Sequence, residues 1–238
     1  MGNSGVKQHY DTAKKTGTLR LSQRKLDEFP QNIRALAPML RTLDLSENKF
    51  SHIPDEISNL TLLKQLNLSR NKLTTLPEAL GALTKLEGLN ASSNQITSLP
   101  WSLSKLTHLK QVNLSDNRIT DFPPMFCDLK FLDVLDLSKN RITTIPDAAG
   151  ALYMVELNLN QNQISTISEK LAECSRLKTL RLEENCLQLN AIPGKILKDS
   201  QISVLSVEGN LFEMKQFANL DGYDDYMERY TAVKKKLF

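Results

Sequence analysis

The residues of this chain best equipped for nucleophilic or metal chemistry are His9, His52 and His108, together with Cys127, Cys174 and Cys186. A histidine works as base or ligand only with a hydroxyl, thiol, carboxylate or second ligand in reach. These three stand in an N-terminal segment and two separate repeats, and none has such a neighbour at a recurring spacing. Three cysteines without a CxxC pair suggest neither a disulfide framework nor a zinc site, and they fit a reducing compartment. The 9 glycines are scattered and contain no GxxxxGK[ST] phosphate loop. The expectation is a protein that is not an enzyme and that carries no cofactor and no metal.

The chemistry the sequence does repeat is that of a carboxamide, which donates and accepts hydrogen bonds at once. Asparagine recurs at Asn48, Asn71, Asn94, Asn117 and Asn140, then at Asn162, Asn185 and Asn210. Each closes a segment of one type, such as LRTLDLSENKF at 40–50, LKQLNLSRNKL at 63–73 and LDVLDLSKNRI at 132–142. An earlier copy, TGTLRLSQRKL at 16–26, keeps Leu19, Leu21 and Leu26 but has Arg24 in the asparagine place, as an atypical end unit would.

These side chains require elements that hold them in register. In LxxLxLxxN, paired apolar residues such as Leu66 and Leu68 are two apart, so they share one side of a short strand while Gln65, Asn67 and Ser69 face the other way. The asparagine then falls at the turn off the strand, where its amide can pair backbone groups left without partners. Between strands the text reads Ile53-Pro54, Leu76-Pro77, Leu99-Pro100, Phe122-Pro123 or Ile145-Pro146, followed by apolar residues three or four apart. That pattern predicts a short helical or 3-10 return beginning at the proline.

Together these motifs resemble the leucine-rich repeat family, in the short, intracellular, 23-residue variety. The resemblance implies an α/β fold, a curved solenoid with parallel strands on its concave face and short helical or 3-10 turns on its convex face. It also implies a protein-binding role. The expected organisation is an N-terminal arm at 1–15, nine repeats at 16–212 and a capping segment with a basic tail at 213–238. Ala91 for a strand leucine and Ser168 for a proline depart from the pattern.

The outward strand positions are the candidate partner-binding surface: Asp44, Asn67, Asn90, Asn113, Asp136, Asn158 and Arg181 in one column, and Gln65, Gln111, Val134 and Glu156 in its neighbour. This polar face is either simply solvated or a docking surface, since ordinary interfaces are no more apolar than the rest of a protein's exterior. Trp101, the only tryptophan, follows Pro100 in an otherwise exposed column and is a possible anchor. Met39, Leu62, Phe131 and Tyr153, each just before a strand's first apolar residue, are expected to pack chiefly into the core.

The ends offer a different chemistry. Gly2, followed by small polar residues and Lys7, looks like an N-myristoylation site, although Val6 stands where the short pattern has Ser or Thr. Lys234, Lys235 and Lys236 could add electrostatic attraction to an anionic membrane. Tyr223, Tyr226, Met227, Tyr230, Val233 and Leu237 recur at helical spacing and are expected to cover the last repeat. With 30 Lys and Arg against 27 Asp and Glu, the net charge is +3, and residues 1–233 balance. No basic face is expected, which argues against nucleic acid. The resulting picture is a monomer with an unidentified protein partner, on the cytoplasmic side of membranes and in the cytosol. The alternative is a soluble cytosolic or nuclear adaptor or regulatory subunit without a lipid anchor.

Overall fold

A computed structural model describes residues 3–235. The chain divides into two compact units, residues 1–118 and 119–238. In the first, helix α1 (Asn3–Thr16) leads into five short strands: β1 (Thr18–Arg20), β2 (Thr42–Asp44), β3 (Gln65–Asn67), β4 (Gly88–Asn90) and β5 (Gln111–Asn113). They pair in parallel, in chain order, with Leu19, Leu43, Leu66, Leu89 and Val112 in register. All five of those side chains are buried, as are their in-coil companions Leu21, Leu45, Leu68, Ala91 and Leu114. Burial of each leucine contributes about 2 kcal/mol.

The return segments are single 3-10 turns: Gln31–Leu36, Asp55–Asn59, Glu78–Ala82 and Trp101–Lys105. Pro30, Pro54, Pro77 and Pro100 each stand immediately before the turn with φ between −69° and −77°. The ring fixes this φ and has no N–H to lose.

The second unit repeats the plan with β6 (Val134–Asp136), β8 (Glu156–Asn158), β10 (Thr179–Arg181) and β11 (Val204–Ser206) paired in parallel. A separate ladder on the return path joins β7 (Thr144–Ile145) to β9 (Thr166–Ile167), an addition the repeat pattern does not announce. Ser168 replaces the proline of its coil by a different device, accepting the Lys170 N–H on its hydroxyl at 3.2 Å. The unit closes with α2 (Gly194–Lys198), α3 (Met214–Phe217) and α4 (Tyr223–Lys234).

At this end α4 lies against β11. The Tyr226 hydroxyl accepts the Leu205 N–H at 3.2 Å and approaches the Leu205 carbonyl at 3.4 Å. The Arg229 guanidinium donates to the carbonyls of Ile202 (3.0 Å), Lys198 (3.3 Å) and Leu197. Tyr226 therefore satisfies strand groups of β11 that a further strand would otherwise pair, and Arg229 satisfies the carbonyls at the end of α2 and of Ile202. The apolar stripe on α4 is narrower than its spacing suggests: Tyr226 is buried, Tyr223, Met227 and Tyr230 are half-buried, and Val233 is exposed. Leu237 lies outside the described residues.

The expected N-terminal arm holds a helix at residues 3–16. Ala13 is buried beside β1, and the Gly17 N–H closes the helix end on the Ala13 carbonyl at 2.8 Å. Gly17 has φ of 68°, and a Cβ there would meet the Met39 carbonyl at 2.8 Å, so glycine is required.

Candidate functional site

The asparagines lie where each strand turns, and their bonding explains why no other residue type serves. Asn71 shows the pattern: its Oδ1 accepts the Phe50 N–H of the preceding coil at 3.1 Å, and its Nδ2 donates to the carbonyls of Leu45 (3.0 Å), Leu68 (3.0 Å) and Ser69 (3.2 Å). Asn94, Asn117, Asn162 and Asn185 reproduce all four contacts. In Asn48 the Oδ1 accepts from both Arg24 and Leu26, so the end coil is tied down although Arg24 replaces its asparagine. Asn140 and Asn210 hold Ile119 and Leu187 in the same way. The residue before each of these asparagines adopts a left-handed φ between 52° and 56°, with Gly209 at 75°.

The neighbouring polar column turns out to be partly structural. Asp44 Oδ1 accepts the Ser46 N–H at 3.0 Å and the Ser46 hydroxyl at 2.6 Å. Asn67, Asn90, Asn113, Asp136 and Asn158 each accept the backbone N–H two residues on, at 2.9–3.1 Å. Only an acceptor oxygen is needed, which is why either Asp or Asn serves in this column. These six residues therefore shape the strand exit, and only their second polar atom remains for a ligand.

Of the other candidates, Gln65 and Gln111 are exposed, while Val134 is half-buried. Glu156 and Arg181 neutralise one another at 3.0 Å. Gly88 accommodates the Gln65 side chain, whose Oε1 would lie 2.1 Å from a Cβ at that position. Trp101 is 61% exposed, and its backbone N–H, like that of Ser102, donates to the Glu78 carboxylate.

Phe131 is 63% exposed, against the expectation of core packing, because the adjacent Leu132 already fills the inward position. Met39, Leu62 and Tyr153 are half-buried. Tyr153 lies between Lys130, 5.2 Å from its ring centroid, and Arg176 at 5.0 Å.

Glu87 pairs with two lysines, Lys110 at 2.8 Å and Lys64 at 2.7 Å. Hydrogen bonds from Lys110 and then Lys64 lower its pKa to about 2. A lowered folded pKa contributes stability above the ordinary carboxylate value that is lost as pH falls through the folded one. Carboxyl NMR should therefore show Glu87 titrating near pH 2, and Lys110→Gln should move it back toward 4.5.

The described histidines make unrelated contacts: His9 with Arg24 at 2.7 Å, His52 with Ser51 at 3.4 Å and His108 with the Thr84 carbonyl at 2.9 Å. Among the described residues no group of three or more His, Cys, Asp or Glu could hold a metal ion. Burial raises the thiol pKa of Cys127 and of Cys174 to about 11, whereas Cys186 is exposed. A thiol reagent at pH 8 should titrate Cys186 in the native protein and all three after denaturation.

Of the terminal candidates, Lys234 and Lys235 are exposed at the end of α4, with Lys234 4.7 Å from the Tyr230 ring centroid. Gly2 and Lys236 lie outside the described residues. No described helix is long and apolar enough to cross a membrane.

Inward leucines, a carboxamide at each corner and a strand face left to variable side chains define a repeat solenoid. The leucine-rich repeat model matches residues 38–96 and 132–187, and a two-copy leucine-rich repeats model matches 84–126 and 109–150. The chain belongs to the leucine-rich repeat family, whose domains are typically non-enzymatic interaction modules.

Solved structures agree. A leucine-rich repeat protein of Leptospira interrogans is 26% identical with a TM-score of 0.75, over 92% of this chain and 63% of that one. An internalin of Listeria monocytogenes is 26% identical with a TM-score of 0.72, over 86% and 58%. The plant peptide hormone receptor RGFR1, in complex with RGF2, is 27% identical with a TM-score of 0.69, over 81% and 32%. This chain thus spans less than two thirds of the length of each.

Proposed function

We propose that the chain is a non-enzymatic protein-binding module whose docking surface is the outward face of its strands. The observation that carries this is the division of labour within each coil: the leucines and asparagines are committed to the fold, whereas Gln65 and Gln111 project outward and are exposed. The similar plant peptide hormone receptor, solved in complex with RGF2, supports the binding role. Gln65→Trp combined with Gln111→Trp should abolish capture of the partners that the wild type retains, with an unchanged melting curve. Retention of every partner would exclude this face. Asp44→Asn and Asp136→Asn are the appropriate charge variants, because they keep the Oδ1 acceptor that Ser46 and Ser138 require.

The finer part of the proposal is peripheral attachment to cytosolic membrane faces through an acyl group on Gly2, assisted by Lys234, Lys235 and Lys236. Its support is the residue pattern at 2–7, together with the need for a second signal, since one myristoyl chain binds membranes only marginally. Gly2→Ala should release the protein from the membrane fraction. An unchanged fraction would remove the lipid and leave a soluble adaptor.

A further inference from the structure

Charge is unevenly divided along the chain. Residues 1–118 hold sixteen Lys and Arg against ten Asp and Glu, whereas residues 119–238 hold fourteen against seventeen. The near-neutral total therefore hides a first unit of +6 and a second of −3.

Part of the excess in the first unit lines one rim, where each coil enters its strand. There the backbone N–H of Arg41 donates to Gly17 (2.7 Å), Lys64 to Arg41 (2.7 Å), Glu87 to Lys64 (2.8 Å) and Lys110 to Glu87 (2.8 Å). These bonds fix one column, with a step of about 4.8 Å and a span of roughly 19 Å. Two residues before Arg41, Lys64, Glu87 and Lys110 come Met39, Leu62, Lys85 and His108 in an adjoining column, and Lys15, in the last turn of α1, stands two residues before Gly17. Lys15, Arg41, Lys64, Lys85 and Lys110 are all exposed, and Glu87, already held by two lysines, is the one carboxylate in either column. Lys15, Arg41 and Lys85 make no ion pair among the described residues. Five cations offset by one carboxylate repel one another and present a field that a polyanion would relieve.

We infer that this rim docks an extended acidic segment of a partner protein along the strand-entry edge of the first unit. The inference rests on the reading of the chain as a protein-binding module. Six extended residues reach about 20 Å, the length of the column. Carboxylates at alternate positions, about 6.7 Å apart, fall within reach of lysines on flexible stems. The rim suits a peptide better than a nucleic acid, because within the first unit its columns contain no tyrosine, phenylalanine or tryptophan on which bases could stack. It suits a peptide better than a bilayer, because among the described residues the exposed large apolar side chains Trp101, Leu211, Met214 and Val233 lie off both columns, and Phe131, at the equivalent position of the second unit, is a single ring. The cations also form a line rather than a broad plane.

The test measures anisotropy of a fluorescein-labelled oligoglutamate peptide with the full chain at low salt. Two variants remove equal charge: Lys15→Gln, Arg41→Gln and Lys85→Gln on the rim, or Lys25→Gln, Lys49→Gln and Lys72→Gln on the strand-exit side of the same unit. All six residues are exposed, so melting curves should match the wild type. The rim variant should weaken binding by about tenfold or more, the control by less than about threefold, and Lys15→Arg with Arg41→Lys and Lys85→Arg should restore it. Equal losses in both variants would assign binding to net charge and overturn the proposal. So would an unaffected rim variant, or a wild type that ignores the peptide while binding phosphatidylserine vesicles or oligouridine. The tryptophan variants on the strand face leave this rim intact. Failure of the peptide assay and failure of the strand-face reading are therefore separate results.

Discussion

Asn162→Ala should destabilise the second unit by about 3 kcal/mol, measured by urea denaturation, because a small substitution removes four interlocked hydrogen bonds. The Ile142 N–H loses its acceptor at 3.0 Å, and the carbonyls of Leu137, Leu159 and Asn160 lose a donor at 3.0, 3.0 and 3.3 Å. Asn162 is 8% exposed, so water cannot replace these contacts without opening the coil. Asn162→Asp should be worse at neutral pH, since a carboxylate would face three carbonyl oxygens. Its folded pKa would be raised, so the penalty should be absent below the unfolded value of about 3.9 and grow as pH rises toward the folded one. If Ala and Asp variants both melt like the wild type, the asparagine ladder does not hold the coils together.

Arg229→Ala combined with Tyr226→Phe should cost about 3 kcal/mol and free α4 from the last coil, since bonds to a charged donor are worth about 1.5–3 kcal/mol. Three backbone carbonyls would lose the guanidinium, and both backbone groups of Leu205 would lose the hydroxyl. Hydrogen exchange should accelerate at Val204–Ser206 and throughout Tyr223–Lys234, while the first unit stays protected. An uncovered strand also offers its edge to other chains, so the double variant should self-associate on gel filtration. Unchanged exchange would mean that α4 contributes little to closing the stack.

Much of the fold is legible in the sequence because one physical requirement recurs in every coil. Leu66, Leu68 and Asn71 must occupy fixed offsets if a strand is to bury two side chains and then turn, and each coil repeats the demand. Features made only once are harder to read. Helix α1 covers β1 with few apolar residues, Ala13 and Tyr10 among them, too few for a clear helical stripe. The pairing of β7 with β9 involves two residues from each side.

The candidate surface was legible in position but not in role. Alternation places Asp44 and Asn90 on the outward face, but the spacing says nothing of the serine hydrogen bonds that commit their Oδ1 atoms to the turn. Glu156 and Arg181 carry opposite charges in adjacent columns, and only coordinates show that they pair. The basic rim disappears from whole-chain composition because the second unit offsets it, whereas a charge count made coil by coil would have found it.

The central claim is that partners meet the strand face, and site-specific photo-crosslinking tests it most directly. A benzophenone side chain introduced in turn at Gln65, Gln111 and Glu156 should yield covalent adducts with bound partner, whereas one at Glu56 or Ala148, exposed on the return turns, should not. Adducts from Glu56 and Ala148 with none from Gln65, Gln111 or Glu156 would contradict the claim.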